Sequence, residues 1–250
     1  MRPKHLLAGK SKETLEKIIF EMERRIIDQQ LDLLRDKILL LGGATEAAVQ
    51  RAMRALVERD NELAKQVLED DKIIDQMELE IDRLSIEILA LQHPAAHDLR
   101  FVISVAKITP ILERIADHAS SIAEAALILN TEPALKNYVD FPIMAQTAAE
   151  MLRSALDAFT NEDSNLSRQI IERDKEIDRS YKRVFNELLE MMIDNPSATT
   201  GAAHLLFVAK HLERIGDYVK DICELNVYLR EAAFIKHSSG KDTQDKENAG

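Results

Sequence analysis

The chain of 250 residues contains one cysteine, no tryptophan, and few glycine, proline and aromatic residues. Because Cys223 has no second cysteine to pair with inside the chain, the composition suits a reducing compartment. The scarcity of aromatic residues argues against the stacking platforms that bind single-stranded nucleic acid. No apolar run approaches the roughly 18 residues of a membrane-spanning helix, and no signal peptide follows the basic N-terminus. We therefore expect a cytoplasmic protein without membrane insertion.

The residues that are present favour helices and an acidic surface. Apolar residues make up 46% of the chain and charged residues 31%, with a net charge of −11 and a pI near 5.2. Ala, Leu, Ile, Glu, Lys and Arg are all compatible with helices, whereas the scarce Gly and Pro are not. The acidic balance argues against a nucleic-acid partner, but it permits binding of cations or of a basic protein surface.

Apolar residues recur at steps of three and four, which predicts six helices. The clearest seam lies in the second helix, at Ile74, Met77, Ile81, Leu84, Ile88 and Leu91. We expect the first helix to run from about Lys12 to Arg59, with a break near Gly42-Gly43, and Pro110 to kink the third. Turn residues predict N-caps at Asp60 and at Asp163 or Ser164, a helix opening at Pro196, and a last helix that reaches Ile235.

A hexapeptide occurs twice, which indicates an internal duplication. Leu-Glu-Arg-Ile-Ala-Asp occupies 112–117, and Leu-Glu-Arg-Ile-Gly-Asp follows 100 positions later at 212–217. The preceding helices align too, with an Asp-x-x-x-Asp pair at 71–75 and again at 174–178. The predicted fold class is all-α, two tandem three-helix bundles. The predicted division is a partly helical N-terminal extension at 1–27, repeats at 28–131 and 137–235, and a disordered polar tail at 236–250.

The duplicated segments carry carboxylates spaced four residues apart. On a helix such pairs are neighbours and repel each other by roughly 0.2–0.5 kcal/mol. A single pair most often belongs to a solvated face, but repetition at matching positions favours a site for cations. Carboxylate oxygens are hard ligands that suit Mg²⁺, Mn²⁺, Ca²⁺ or iron. The candidate metal ligands are Asp71, Asp75, Glu78, Asp82, Glu113, Asp117, Asp174, Asp178, Glu213, Asp217 and Asp221.

The second repeat predicts a weaker site, because Tyr181 and Phe185 take the places of Glu78 and Asp82. No histidine follows a glutamate by three residues, so a ferritin-like di-iron site is not indicated. His118 is expected to be an ordinary rim residue. No phosphate-binding glycine loop or serine nucleophile motif is present, and no catalytic residue is expected.

The two hexapeptides, the two Asp-x-x-x-Asp pairs and the segment Pro94 with Asp98-Leu99-Arg100 resemble the PhoU family over roughly Leu31 to Ala232. An N-terminal extension of about 27 residues departs from the usual start of that family. The resemblance implies a negative regulator of phosphate uptake and of the phosphate-starvation response, which acts between the ATPase of a phosphate ABC transporter and a phosphate-sensing histidine kinase. It also implies a homodimer and metal ions at the acidic motifs, as single ions or multinuclear clusters: iron first, with manganese, magnesium, zinc or calcium as alternatives.

Two other functions remain open from the residues alone. A polynuclear carboxylate centre could belong to a metalloenzyme that hydrolyses phosphoesters or reacts with oxygen. Alternatively, the chain could be a purely structural helical interaction module, in which the carboxylates spaced four residues apart only form solvated helix faces.

Overall fold

The computed structural model describes residues 12–133, 135, 140–233 and 235, with side chains from Ile26 onward. These residues form six α-helices and one short 3-10 helix, and no strand occurs among them. The α-helices are α1 (Lys12–Glu58), α2 (Asn61–Gln92), α3 (Ala96–Leu129), α4 (Asp140–Thr160), α5 (Ser164–Asp194) and α6 (Thr199–Glu231). The predicted all-α fold is confirmed. Residues 1–11 of the predicted N-terminal extension, the predicted polar tail at 236–250 and part of the segment between the repeats lie outside the described residues.

Side-chain caps separate the helices where the turn residues predict them. The Asp60 carboxylate accepts hydrogen bonds from the backbone N–H groups of Glu62 and Leu63, both at 3.0 Å. Asp163 accepts one from Leu166 N–H at 2.9 Å. Each cap satisfies donors that the first turn of a helix leaves unpaired, which stabilises the helix by about 1 kcal/mol. The connections that contain these caps, between α1 and α2 and between α4 and α5, are short, which favours antiparallel packing of the helices they join.

Two predicted helix limits are wrong. Helix α1 continues through Gly42-Gly43 without a break. A Cβ at Gly42 would lie only 2.2 Å from Leu156 Cδ1 on α4, so this glycine allows a close helix–helix approach. The cost of glycine in a helix is about 1 kcal/mol, which tertiary packing overcomes. Helix α6 ends at Glu231 instead of reaching Ile235, because Ala232 adopts a left-handed conformation with φ of 54°.

Helices α1–α3 form one bundle and α4–α6 form another, and the two are joined through α3 with α6 and α1 with α4. The apolar residues of both hexapeptides, Leu112, Ile115, Leu212 and Ile215, are completely buried in one continuous core. Burying each such side chain contributes roughly 1.5–3 kcal/mol. The predicted seam of α2 holds as far as Ile88, but Leu91 is 64% exposed and does not belong to the core.

The duplication also shapes the junction between the bundles. His118 on α3 and Tyr218 on α6 directly follow the two hexapeptides at equivalent positions, and their rings stack with centroids 5.6 Å apart. Equivalent positions of α3 and α6 therefore meet where the two repeats join. Within the described part of the chain, no helix has an apolar stretch long enough to cross a membrane.

Candidate functional site

The α2–α3 hairpin brings six predicted ligands into one neighbourhood. The two helices pack together along their length and are joined by only three residues. Their carboxylates influence each other electrostatically across the helix–helix contact. We call this group the acidic strip, and its members are Asp71, Asp75, Glu78, Asp82, Glu113 and Asp117.

Within the acidic strip, the carboxyl group of Glu113 has a strongly raised pKa. Partial burial raises the pKa of its carboxyl group to about 7, and the charges of Asp117, Glu78 and Asp75 act in the same direction. Arg114 opposes the increase but does not overcome it. A carboxyl group with this pKa is only partly ionised near neutral pH. Burial first, and the neighbouring carboxylates second, therefore disfavour the charged form of Glu113.

Two further members of the strip respond in the same way. Burial raises the pKa of Asp71, and the nearby charges of Asp75 and Asp117 add to this effect. The hydroxyl group of Ser120 opposes the increase at Asp71. Burial and the neighbouring carboxylates of the strip also raise the pKa of Glu78. Because like charges disfavour ionisation, a cation placed among these groups would lower all of these pKa values.

The acidic strip forms no ion pair with a cationic side chain in the part of the chain that the structure describes. None of its six carboxylates forms an ion pair with a lysine or arginine there. The buried hydroxyl group of Ser120 lies beside Asp71 and, being neutral, brings no positive charge to the strip. Among these same residues, however, no three His, Cys, Asp or Glu side chains converge closely enough to hold a metal ion. The strip therefore has the donors for a hard cation, arranged as an open face.

The corresponding place in the second repeat is occupied by lysine. The Lys220 ammonium donates hydrogen bonds to Asp174 Oδ2 at 2.7 Å and to Asp217 Oδ1 at 3.1 Å. It thereby joins α5 to α6 through the two residues that match Asp71 and Asp117. Burial acts to lower the pKa of Lys220, but the two carboxylates outweigh it and the pKa is raised.

Asp174 is almost completely buried, with 5% of its surface exposed. Burial raises the pKa of its carboxyl group, and Lys220 opposes that increase. Gly216 provides the room, because a Cβ there would lie 2.8 Å from Asp174 Oδ1 and 3.0 Å from Ile177 Cδ1. Ala116 holds this position in the first repeat. The one difference between the hexapeptides thus allows a carboxylate to pack against α6.

A second lysine neutralises the remaining hexapeptide acid of this repeat. Lys210 Nζ lies 2.5 Å from Glu213 Oε2 and 5.3 Å from the ring centre of Tyr181. Arg214 adds an ion pair to Asp217 at 3.6 Å. In contrast to the acidic strip, the carboxylates of the second repeat are therefore largely paired with cations of the protein.

The last two predicted ligands of the second repeat lie in different surroundings. Asp178 is half-buried one helical turn from Asp174, on which its charge acts. Asp221 lines a separate cavity between α3 and α6, beside Lys107 and Arg114. The structure thus places Asp174, Asp178 and Asp217 together, whereas Asp221 faces the junction of the repeats.

Sequence reasoning missed two features of the site. Lys220 stands 100 positions after Ser120, so aligning the repeats residue by residue would have revealed a cation at this place. His118 is half-buried instead of lying at the rim, and its Nδ1 is 2.8 Å from Nδ1 of His211. No sequence signal relates His118 to His211, because their contact depends on how the two repeats pack.

Comparison with known proteins agrees with this duplicated architecture. The family model described as PhoU domain matches residues 38–126 and 141–225. The chain is 38% identical over 219 residues to a phosphate-specific transport system accessory protein PhoU homolog of Zymomonas mobilis, covering 87% of this chain and 92% of that protein. It is 32% identical over 221 residues to phosphate-specific transport system accessory protein PhoU of Escherichia coli, covering 88% and 91% respectively.

Two crystal structures share the fold. PhoU from Pseudomonas aeruginosa superposes with a TM-score of 0.79 at 37% identity, covering 82% of this chain and 99% of that one. The phosphate transport system regulatory protein PhoU from Streptococcus pneumoniae gives 0.78 at 31% identity, covering 84% and 99%.

Proposed function

The chain belongs to the PhoU family, and on that premise we propose that it is an accessory regulator of a phosphate transport system in the cytoplasm. Members of this family are regulatory accessory proteins and not enzymes, so this chain is not an enzyme. The metalloenzyme alternative is thereby excluded. The names of its relatives support the proposed link to phosphate transport.

The regulator carries metal at the acidic strip of the first repeat. The observation that supports this site is a set of six carboxylates on α2 and α3 with no ion-pair partner among the described residues. The residues fit a hard cation, because all six provide oxygen ligands and none of them forms an ion pair with a lysine or arginine of the described residues. Iron is the first choice by family resemblance, and manganese, magnesium, zinc and calcium are the alternatives.

A bound cation would supply positive charge beside carboxylates that form no ion pair with the protein's own lysine or arginine side chains among the described residues. The strip residues of α2 and α3 hold it jointly, which removes the repulsion between them and fastens the two helices together. Asp75 and Asp117 are exposed, so their side chains can change rotamer to bind an ion. The fastened bundle then presents a fixed surface to its partners.

Those partners are the ATPase of a phosphate ABC transporter and a phosphate-sensing histidine kinase. The protein restrains phosphate uptake and the starvation response when phosphate is plentiful, and it acts as a homodimer. Deleting its gene should raise phosphate uptake and starvation-gene expression in phosphate-rich medium. Unchanged uptake and expression after deletion would contradict the regulatory role, and failure of the purified ATPase to bind would contradict the adaptor role.

Elemental analysis of protein purified without chelator or affinity metal tests the site. The double variant Asp75→Ala with Glu113→Ala should lose metal, because it removes one ligand from each helix of the strip. The control Glu190→Ala with Asp194→Ala removes the same charge from an exposed pair on α5 and should keep its metal. Equal metal content in all three proteins would remove the site assignment.

The structural alternative makes a different prediction about melting. If the carboxylates of both repeats only form solvated helix faces, adding Mn²⁺ to metal-free protein will leave its melting temperature unchanged. Metal binding to the folded state alone instead raises stability, by about 2.7 kcal/mol at one hundred times the dissociation constant.

A further inference from the structure

We propose that Lys220 is a built-in cation that takes the place of metal in the second repeat, so that only the first repeat depends on metal supply. This inference rests on the proposed metal site of the first repeat. It assigns a role to a residue outside the acidic motifs, and it makes the two repeats of one chain functionally unequal.

The argument begins with the correspondence between the repeats. Asp174 and Asp217 match Asp71 and Asp117, and Lys220 matches Ser120. In the first repeat the neutral hydroxyl group of Ser120 lies beside Asp71, and the carboxylates of the acidic strip form no ion pair with a lysine or arginine of the described residues. In the second, a lysine at the same place hydrogen-bonds both acids. The residue at this position therefore decides whether the two matched aspartates share a cation of the protein.

The surroundings of Lys220 keep its ammonium group in place beside Asp174 and Asp217. Its partner Asp174 is almost fully buried, and an unpaired charge there would carry a large desolvation cost. The ammonium is tethered to α6, so its effective concentration beside Asp174 far exceeds that of a dissolved ion. Gly216 lets Asp174 approach α6 closely enough for this contact. A divalent ion could bind there only by displacing both hydrogen bonds of the lysine.

The two bundles would therefore respond differently to metal ions. Helices α5 and α6 are cross-linked by an internal ion pair under all metal conditions, whereas α2 and α3 are cross-linked only when a metal ion is bound. A change in metal supply would then alter the first bundle and leave the second as a constant frame. Only the packing of α2 against α3 would then change when metal binds or is lost.

Exchange of the two matched residues tests this proposal. Metal-free wild type, Lys220→Ser and Ser120→Lys are dialysed against Mn²⁺, and bound ions per chain are counted by elemental analysis. Lys220→Ser should bind additional Mn²⁺, and adding Asp174→Asn should abolish that gain. Ser120→Lys should lose Mn²⁺ from the first repeat and melt at a higher temperature than metal-free wild type. The control Lys175→Ser removes an exposed lysine of α5 and should bind as wild type does.

The failures are distinguishable. If wild type binds Mn²⁺ and Lys220→Ser binds no more, the role of Lys220 is refuted while the metal site stands. If wild type binds none but Lys220→Ser does, the metal site of the first repeat is refuted and the role of Lys220 stands. Should Lys220→Ser not fold, Asp174→Asn in the wild-type background decides, because a loss of bound Mn²⁺ there would show that the second repeat takes metal despite Lys220.

Discussion

His118 Nδ1 lies 2.8 Å from His211 Nδ1, and this contact joins helix α3 of one repeat to helix α6 of the other. At this distance one ring must donate and the other accept, so at most one of the facing nitrogens carries a proton. Burial lowers the pKa of His118 to about 4, and the charges of His211 and Arg214 act in the same direction. The junction between the repeats therefore favours the neutral form of His118.

This contact predicts an acid-sensitive junction. The unfolded chain takes up a proton at His118 near its ordinary pKa of 6.5, whereas the folded chain does so only near 4. Stability from this group is thus complete above about pH 6.5 and falls as the pH drops towards 4. After allowing for partial exposure, we expect a loss on the order of 1 kcal/mol between pH 7 and pH 5.

Denaturant titrations at both pH values check this. His118→Phe should lose less stability over that range than wild type, whereas the exposed control His93→Asn should behave as wild type does. Identical pH dependence in His118→Phe and wild type would show that the pair does not matter for stability.

The raised pKa of Glu113 predicts a pH dependence of stability opposite to that of His118, because this group lowers stability as the pH rises. Its carboxyl group ionises at about 7 in the folded protein and near 4.5 when unfolded, so this group lowers stability as the pH rises through that interval. Glu113→Gln should therefore stabilise metal-free protein at pH 8 by about 1 kcal/mol, with no gain at pH 4. The control Glu80→Gln breaks an exposed ion pair with Lys37 and should give no stabilisation. Urea unfolding of chelator-treated protein measures both, and a destabilised Glu113→Gln would contradict the repulsion.

The adjacent glycines of α1 predict a contrast between neighbours. Gly42→Ala places a Cβ against Leu156 and should destabilise the α1–α4 packing by about 1–3 kcal/mol. Gly43→Ala meets nothing within 4 Å and should stabilise the helix by up to about 1 kcal/mol. Thermal melts of the two variants should shift in opposite directions. Equal shifts would mean that α4 does not approach α1 at Gly42.

Asn226 predicts a large effect from one buried amide. Its Nδ2 donates hydrogen bonds to the carbonyl of Ala158 at 2.9 Å and to Ser167 Oγ at 2.8 Å, and the side chain is completely buried. Asn226→Ala should cost about 2 kcal/mol, because it leaves those partners unsatisfied. Chemical denaturation that shows less than half of the expected loss would indicate that water replaces the amide.

The sequence by itself determined the fold class, the duplication and most helix ends. These properties are local or periodic: apolar residues spaced at three and four define a helix face, and Asp60 and Asp163 cap the turns directly beside them. The hexapeptide repeat likewise needs no structure to be seen. Gly42 is the counterexample, because the partner that makes it tolerable, Leu156, lies on a distant helix.

Tertiary structure alone decided how the charges are shared. Helical spacing predicted carboxylates on common faces in both repeats, but it could not show that Lys220 reaches across to Asp174, or that the acidic strip has no such partner among the described residues. The meeting of His118 with His211 depends in the same way on packing between repeats. Electrostatic energies vary with distance and burial, and both are properties of the folded chain.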